Sequence, residues 1–338
     1  MVLLICSSSL FITYLDSTIL TVALPTLQKE LHASIAGLQW VSDAYLLVVA
    51  SLLMLTGSTA DRLGRKRLFL IGLAGFSLGS LLCSLAPNTG SLIALRMVQG
   101  LGGSMLTPIS LSIVRNTFHD QKERAQALGI WSGIFGVAAA CGPVVGGLLV
   151  SSVGWRSIFW VNVPIGVAMI AATVRYLPES RAPRPRRVDV PGQLLMIVFL
   201  GSLTYAVIQG PVSGWTAVPI VALFVVAAVS LAAFVVVERR QPEPLLEPRF
   251  FRSRPFTGAS LIAVLAFVVL GVAVMGDLVT SGVSSGVARG ETHAVALSAA
   301  THAAWAVALA CGVVIALTGY LTTSARARAS AAAVVSTK

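Results

Sequence analysis

The stretch LDSTILTVALP, residues 15–25, places an aspartate inside an apolar run that begins at residue 2. The run covers residues 2–24, and about 20 apolar residues suffice to cross a bilayer core of roughly 30 Å as a helix. An ionised side chain at the centre of such a helix costs about 2.5–3.5 kcal/mol on insertion scales. Asp16 therefore needs a partner, a polar cavity or a function, and it predicts a polar site inside a helix bundle.

The remainder of the chain repeats this apolar pattern. Of 338 residues, 56% are apolar and 11% are charged, more apolar surface than one or two soluble cores could bury. Ten runs are long enough to span a bilayer: 2–24, 38–59, 68–86, 91–113, 125–149, 156–176, 191–210, 216–237, 255–276 and 299–322. They are too uniformly apolar for barrel strands, so the predicted fold class is an all-α integral membrane protein.

The net charge of +11 reflects the predicted topology. With a cytoplasmic N-terminus, 20 of the 24 basic residues fall in cytoplasmic segments. Lys29, Arg156 and Arg289 fall outside and Arg96 lies within a span. The positive-inside rule then predicts a multi-pass protein of the plasma (inner) membrane with both termini cytoplasmic, its partner the lipid bilayer and not nucleic acid. Four scattered cysteines predict neither a disulfide nor a metal site.

The spans fall into groups along the chain. Six with short loops occupy residues 1–177, and residues 178–254 hold two extra spans between two cytoplasmic linkers. Two further spans lie in residues 255–323, and a tail, 324–338, is predicted to be disordered. Six spans form one half of a transporter built from inverted repeats. The predicted architecture is a six-helix N-terminal transporter bundle plus about four further transmembrane helices, an incomplete second bundle.

Asp16 and Arg96 are expected at matching depths in the bilayer. At a rise of about 1.5 Å per residue, Asp16 lies about 9 Å below the outer face and Arg96 about 8 Å below it. Thr13, Asp16 and Ser17 share one stripe of the first helix, and Asp43 lies within about a turn of the same level. These residues predict a polar cavity in the outer half of the bundle, with Asp16 and Arg96 as its charged pair.

Two interpretations of the Asp16–Arg96 pair remain open. One is a structural salt bridge that only holds helices together. The other is a site of proton exchange, because ionisable residues inside membranes are usually functional and a carboxylate beside a cation in low dielectric suits that chemistry. Asp43 lies near the interface and can stay hydrated, so a structural role is favoured for it.

Two glycine-containing stretches also stand out. GSTADRLGRKR, residues 57–67, lies at the predicted cytoplasmic turn between the second and third spans. Its glycines allow a tight turn and its charges can pair with helix ends, whereas an ordinary positive-inside loop explains neither Asp61 nor the glycines. GVAAACGPVVGG, residues 136–147, lies in the fifth span, where glycines permit close helix approach and Pro143 bends the helix. Packing alone could also require this second pattern.

Together with LIALRMVQGLGGSM, residues 92–105, and WRSIFWVNVPIG, residues 155–166, these stretches resemble the major facilitator superfamily, and specifically its fourteen-span drug:proton antiporters. The resemblance implies efflux of lipophilic or cationic drugs driven by the proton gradient, with no cofactor. The sequence contains no nucleotide-binding P-loop, and His293 and His302 are nine residues apart, so it predicts neither an enzymatic reaction nor a metal site. The resemblance assigns proton coupling to Asp16 and Arg96, and adds Gln99 to the cavity residues Thr13, Ser17 and Asp43. It assigns a cytoplasmic gate loop to Gly57, Asp61, Arg62, Gly64, Arg65 and Lys66, and an antiporter motif to Gly136, Gly142, Pro143, Gly146 and Gly147.

The resemblance also predicts an internal deletion. LGVAVMGDLVTSGV, which starts at Leu270, is similar to the outer end of the family's thirteenth span, although the ninth begins only shortly before Val264. About four spans would be missing, an even number that leaves the topology unchanged. Because alternating access needs two bundles, the alternative is a non-transporting remnant, or a helix bundle that acts with a partner or with a second copy as a homodimer.

Overall fold

The computed structural model describes residues 1–182 and 189–241, together with single residues scattered between 257 and 302. The chain divides into two compact units, Met1–Leu245 and Leu246–Lys338. All regular elements in the described residues are helices, so the predicted all-α class is confirmed. The predicted spans 255–276 and 299–322 and the tail lie largely outside the described residues.

Among the described residues of the first unit, helices account for all but short connections. They are α1 (Val2–Glu30), α2 (Ile35–Leu63), α3 (Arg65–Ser84), α4 (Thr89–Thr117), α5 (Gln121–Ser152), α6 (Ser157–Trp160), α7 (Asn162–Tyr176), α8 (Val190–Ser213) and α9 (Val218–Arg240). Within the described residues eight helices are long and apolar enough to cross a membrane, with α6 and α7 together forming one of them. The eight predicted spans that end by residue 237 are therefore confirmed.

The helices differ from the predicted spans by up to six residues at an end, and the differences in the first and sixth spans have a local cause. The first span was expected to end at residue 24, yet α1 includes Pro25 and continues to Glu30. A proline removes one backbone donor, which a membrane helix tolerates where neighbouring groups satisfy the freed carbonyl. Trp155 Nε1 stabilises the last turn by donating to Glu30 Oε2 at 2.9 Å. The sixth span is divided at Val161, shortly before Pro164, which cannot donate to the carbonyl one turn earlier.

The connections between helices are short because side chains or glycine end the helices locally. Asp120 caps α5 by accepting from the backbone N–H groups of Lys122 and Glu123. Asn88 and Ser91 form a reciprocal capping box at the start of α4. Gly64 alone separates α2 from α3, with φ of +117°, a conformation that other residues rarely adopt.

The packing of α4 organises the bundle. It contacts α2 on one side and α3 on the other, while α1 packs on α5, α7 packs on α3, and the α8–α9 hairpin packs on α2. The backbones of α4 and α3 lie very close together, since a Cβ on Gly102 would overlap the backbone nitrogen of Phe76. Two apolar clusters fill the interior, one toward the start of α1 around Leu10 and Phe76, the other toward its end around Leu20 and Trp155.

Candidate functional site

Asp16 is buried between these two apolar clusters and is hydrogen-bonded through both carboxylate oxygens. Arg96 Nη1 donates to Oδ2 at 2.5 Å. Gln99 Nε2 and Asn162 Nδ2 both donate to Oδ1, at 2.9 and 2.7 Å. Because these donors come from α4 and α7, the carboxylate of α1 joins three helices at one point.

Arg96 has contacts that do not depend on Asp16. Its Nε donates to the backbone carbonyl of Val41 at 3.1 Å, and its Nη1 also donates to Gln99 Oε1 at 2.7 Å. The guanidinium carbon lies 4.4 Å from the centroid of the Tyr45 ring, within cation–π range. Residues of α2 would therefore still hold the guanidinium if the carboxylate released it.

Ser80 of α3 completes the arrangement. Its Oγ accepts from Gln99 Nε2 at 2.8 Å and from Asn162 Nδ2 at 2.9 Å. We call Asp16, Ser80, Arg96, Gln99 and Asn162 the polar cluster. The side chains of Asp16 and Arg96 are each 1% exposed, so the charged pair is closed to solvent and its charges are compensated by pairing and hydrogen bonds, as a low-dielectric interior requires.

The other predicted cavity residues lie outside the polar cluster. Thr13 Oγ1 donates to the carbonyls of Ser9 and Leu10, and Ser17 Oγ to that of Thr13. Hydroxyls within helices commonly bond to the preceding turn in this way. Asp43 is half-buried on α2, and no hydrogen bond in the described residues joins it to the cluster. The predicted water-lined cavity stays a prediction.

Sequence reasoning missed three residues around the charged pair, of which Asn162 and Tyr45 contact the pair and Ser80 accepts from the two amides beside it. Asn162, Ser80 and Tyr45 were not among the predicted site residues. Asn162 carried a usable signal, because an amide in an apolar run must find partners much as Asp16 must. Ser80 and Tyr45 carried none, since serine and tyrosine are ordinary residues in membrane helices.

The predicted gate loop forms the turn between α2 and α3. Asp61 Oδ1 accepts from Arg65 Nη2 at 2.8 Å and from Arg65 Nε at 3.0 Å. The turn is also fastened to the segment after α7, because Arg65 N donates to Ser180 O and Ala182 N donates to Asp61 O. Gly57 faces Pro108 of α4 at a distance that would also accommodate a Cβ, and Arg62 is exposed.

Glu179 supplies a helix cap that the local sequence lacks. Gly64 precedes α3 and has no side chain with which to cap it. Instead Glu179 Oε1 accepts from the backbone N–H of Lys66 at 3.1 Å, and Lys66 Nζ donates to Val174 O at 2.9 Å. A carboxylate at a helix N-terminus also complements the helix dipole. The start of the predicted linker at residue 178 is thus held against the gate loop.

The glycines of the predicted antiporter motif have two different environments. A Cβ on Gly142 would overlap the Thr18 side chain of α1, and one on Gly146 would lie 3.3 Å from the Ile19 carbonyl. No described residue lies within 4 Å of such a Cβ on Gly136 or Gly147. Half of the motif therefore packs α5 onto α1 just after Asp16, and the other half faces away from the described helices.

We expect Gly142→Ala to destabilise the bundle by about 1–3 kcal/mol, the usual cost of overpacking a tight contact. The added methyl group must displace Thr18 and push α1 away from α5 beside Asp16. The measurement is the midpoint of thermal unfolding of the purified protein in detergent. Gly136→Ala is the matched control in the same motif and should leave the midpoint unchanged or raised, since the new methyl group has no neighbour within 4 Å in the described part of the chain. Equal effects of the two variants would contradict this assignment.

Metal ligands are not assembled in the described part of the chain. No group of three or more His, Cys, Asp or Glu side chains among those residues lies close enough together to hold an ion. The chemistry available at the polar cluster is therefore that of one carboxylate, one guanidinium, two amides and a hydroxyl.

Comparisons with known proteins agree with the fold. A sequence model of the family described as Major Facilitator Superfamily matches residues 6–337. The chain is 43% identical over 263 residues to multidrug resistance protein Stp of Mycobacterium tuberculosis, covering 78% of this chain and 49% of that protein. It is 43% identical over 251 residues to the methylenomycin A resistance protein of Streptomyces coelicolor, covering 74% of this chain and 53% of that protein. The chain thus spans about half the length of these curated relatives.

A likeness to solved structures supports the fold alone. The crystal structure of the peptide transporter POT in complex with sulfate aligns with a TM-score of 0.59 at 16% identity. The alignment covers 82% of this chain and 60% of that chain.

Proposed function

The chain belongs to the major facilitator superfamily, and from that premise we propose that it carries out proton-coupled efflux of lipophilic or cationic drugs across the plasma membrane. The family is one of multi-pass membrane transporters, not of enzymes. The names of the relatives, which are multidrug and antibiotic resistance proteins, support drugs as the substrate class. We propose further that the chain is of the fourteen-span antiporter type with about four spans missing, and that both termini are cytoplasmic.

The observation that carries this proposal is the buried contact between Asp16 and Arg96. While Asp16 is ionised, the pair is neutral overall and can remain between two apolar clusters. A proton on Asp16 leaves the guanidinium charge uncompensated, and removing one partner of a buried pair typically costs about 3–5 kcal/mol. That cost favours a conformation in which water reaches Arg96. Proton binding is thereby converted into a conformational change, with the proton gradient as the energy source and no cofactor.

The two glycine-containing stretches fit supporting roles in such a change. The gate loop is fixed by Asp61, Arg65 and Glu179 at the end of the bundle remote from Glu30. The close contact of Gly142 with Thr18 couples α5 to the helix that carries Asp16. A movement of α1 that follows protonation would therefore be passed to α5.

A second candidate function is a helix bundle that acts with a partner or with a second copy of itself. One observation favours it: among the described residues, nothing lies within 4 Å of the point where a methyl group on Gly129, Gly133 or Gly136 of α5 would stand. Small residues on a membrane helix let another helix approach closely. A homodimer could in this way supply a second six-span block.

The discriminating experiment is drug accumulation in an efflux-deficient host. Cells that express the chain should accumulate less of a fluorescent lipophilic cation than empty-vector cells, and a protonophore should abolish the difference. Membrane insertion is checked by immunoblot of the membrane fraction. Accumulation equal to the empty vector, with the protein inserted, would reject transport by this chain and leave the partner-dependent bundle, which cross-linking in the membrane would then detect.

A further inference from the structure

We infer that Asn162 is a positioning residue for Asp16, and that the coupling proton binds at Oδ2, the carboxylate oxygen that also holds Arg96. This inference rests on the proposed function, because it concerns the proton that Asp16 would carry. It goes further by assigning the atom that takes the proton and by naming a residue on α7 that enforces the choice.

The number of hydrogen bonds that each oxygen of the Asp16 carboxylate accepts identifies Oδ2 as the oxygen that can bind the proton. Each oxygen of an ionised carboxylate offers about two acceptor positions. Both positions on Asp16 Oδ1 are used, by Gln99 Nε2 at 2.9 Å and Asn162 Nδ2 at 2.7 Å. Oδ2 accepts a single described bond, from Arg96 Nη1. The remaining position for a proton is therefore on the oxygen that faces the guanidinium.

The orientation of the Asn162 amide is fixed by its two acceptors. Its NH2 group lies between Asp16 Oδ1 and Ser80 Oγ, at 2.7 and 2.9 Å, and reversing the amide would place its oxygen against the carboxylate. This orientation leaves Asn162 Oδ1 buried with no hydrogen-bond partner among the described residues. An unpaired buried acceptor is unfavourable. An apolar side chain at this position would pack between α3 and α7 without that cost, so packing alone does not explain the asparagine. The orientation of the amide is thus set by the two hydrogen bonds that its NH2 group donates.

Because of Asn162, the proton binds at Asp16 Oδ2, the same atom from which Arg96 is released. When the O–H bond forms at Oδ2, Oδ1 becomes the carbonyl oxygen and keeps both amide donors, while the bond from Arg96 to Oδ2 is weakened. Arg96 keeps its bonds to Val41 O and Gln99 Oε1. Without Asn162, one position on Oδ1 is open, so a proton can bind there while the hydrogen bond between Arg96 and Oδ2 survives.

Infrared difference spectroscopy tests this assignment directly. The full chain in lipid vesicles is stepped from neutral to acidic pH, and the carboxylic acid carbonyl band of Asp16 is identified by its loss in Asp16→Asn. The other charged or titratable groups that face Asp16 among the described residues are Arg96 on α4, Tyr45 on α2 and Cys83 on α3. None of these gives a carboxyl band. In the wild type the carbonyl accepts two hydrogen bonds, and its band should lie at a low wavenumber.

Asn162→Leu should shift the Asp16 band to higher wavenumber, because the carbonyl oxygen Oδ1 loses one of its two hydrogen-bond donors. Asn162→Ala repeats the measurement if the leucine variant does not insert. Ser80→Ala is the matched control, since it removes the other acceptor of both amides but leaves both donors on Oδ1, and its band should stay at the wild-type position.

Three outcomes are decisive. A band that is unchanged in both Asn162 variants overturns the inference and leaves the proposed function intact. An equal shift in Ser80→Ala indicates general loosening of the polar cluster and also overturns it. The absence of any Asp16-dependent band in the wild type overturns the proposed role of Asp16 and the inference with it.

Discussion

Asp16→Asn is expected to reduce drug resistance in an efflux-deficient host to the level of the empty vector. The asparagine keeps the size of the side chain, and its single carbonyl oxygen can still accept either from Arg96 or from the amides of Gln99 and Asn162, so the protein should insert normally. It cannot bind and release a proton, and the charge of Arg96 stays uncompensated at all times. The measurement is the minimal inhibitory concentration of a lipophilic cationic drug, with membrane expression quantified in parallel.

Asp43→Asn is the control for this experiment. Asp43 is also a carboxylate within a membrane helix, but it is half-buried on α2 and lies outside the polar cluster. Its replacement should leave most of the resistance intact. Resistance that survives in Asp16→Asn, or that falls equally in both variants, would contradict proton coupling at Asp16.

The charged pair could be anticipated from the sequence because both charges occur within membrane spans. A membrane helix rises by a fixed distance per residue, so the position of a residue in its span gives its depth in the bilayer. The depths of Asp16 and Arg96 calculated in this way agree, and the two side chains are in contact. Rotation about the helix axis is less well determined by a stripe of hydroxyls. Thr13 and Ser17 bond to their own helix and say little about which neighbour they face.

The partners of the charged pair depend on which helices pack together, and no local pattern states this. Ser80 and Asn162 approach Asp16 because α7 packs on α3. The cap on α3 also depends on tertiary packing. Glu179 is 113 residues from Lys66 in sequence, and it replaces a capping side chain that Gly64 lacks. Local signals predicted that the helices exist, whereas the contacts between them follow from tertiary packing.

Arg96→Ala is expected to be more harmful when Asp16 is intact than when Asp16 is already asparagine. In the wild type the substitution leaves a buried carboxylate without its cation, at a cost of about 3–5 kcal/mol. In the Asp16→Asn background no such charge remains. The contacts of Arg96 with Val41 O and the Tyr45 ring are lost in both backgrounds, so they cancel in a double-mutant cycle.

The quantity to measure is the free energy of unfolding of the four proteins, obtained by reversible denaturation in mixed micelles. Directly bonded partners should show a coupling energy of about 0.5–3 kcal/mol. Because the two side chains are 1% exposed, salt should change this coupling little, whereas an exposed pair would be screened. Additive effects of the two substitutions would show that Asp16 and Arg96 do not stabilise one another. In that case a proton on Asp16 would have no means of changing the energy of Arg96.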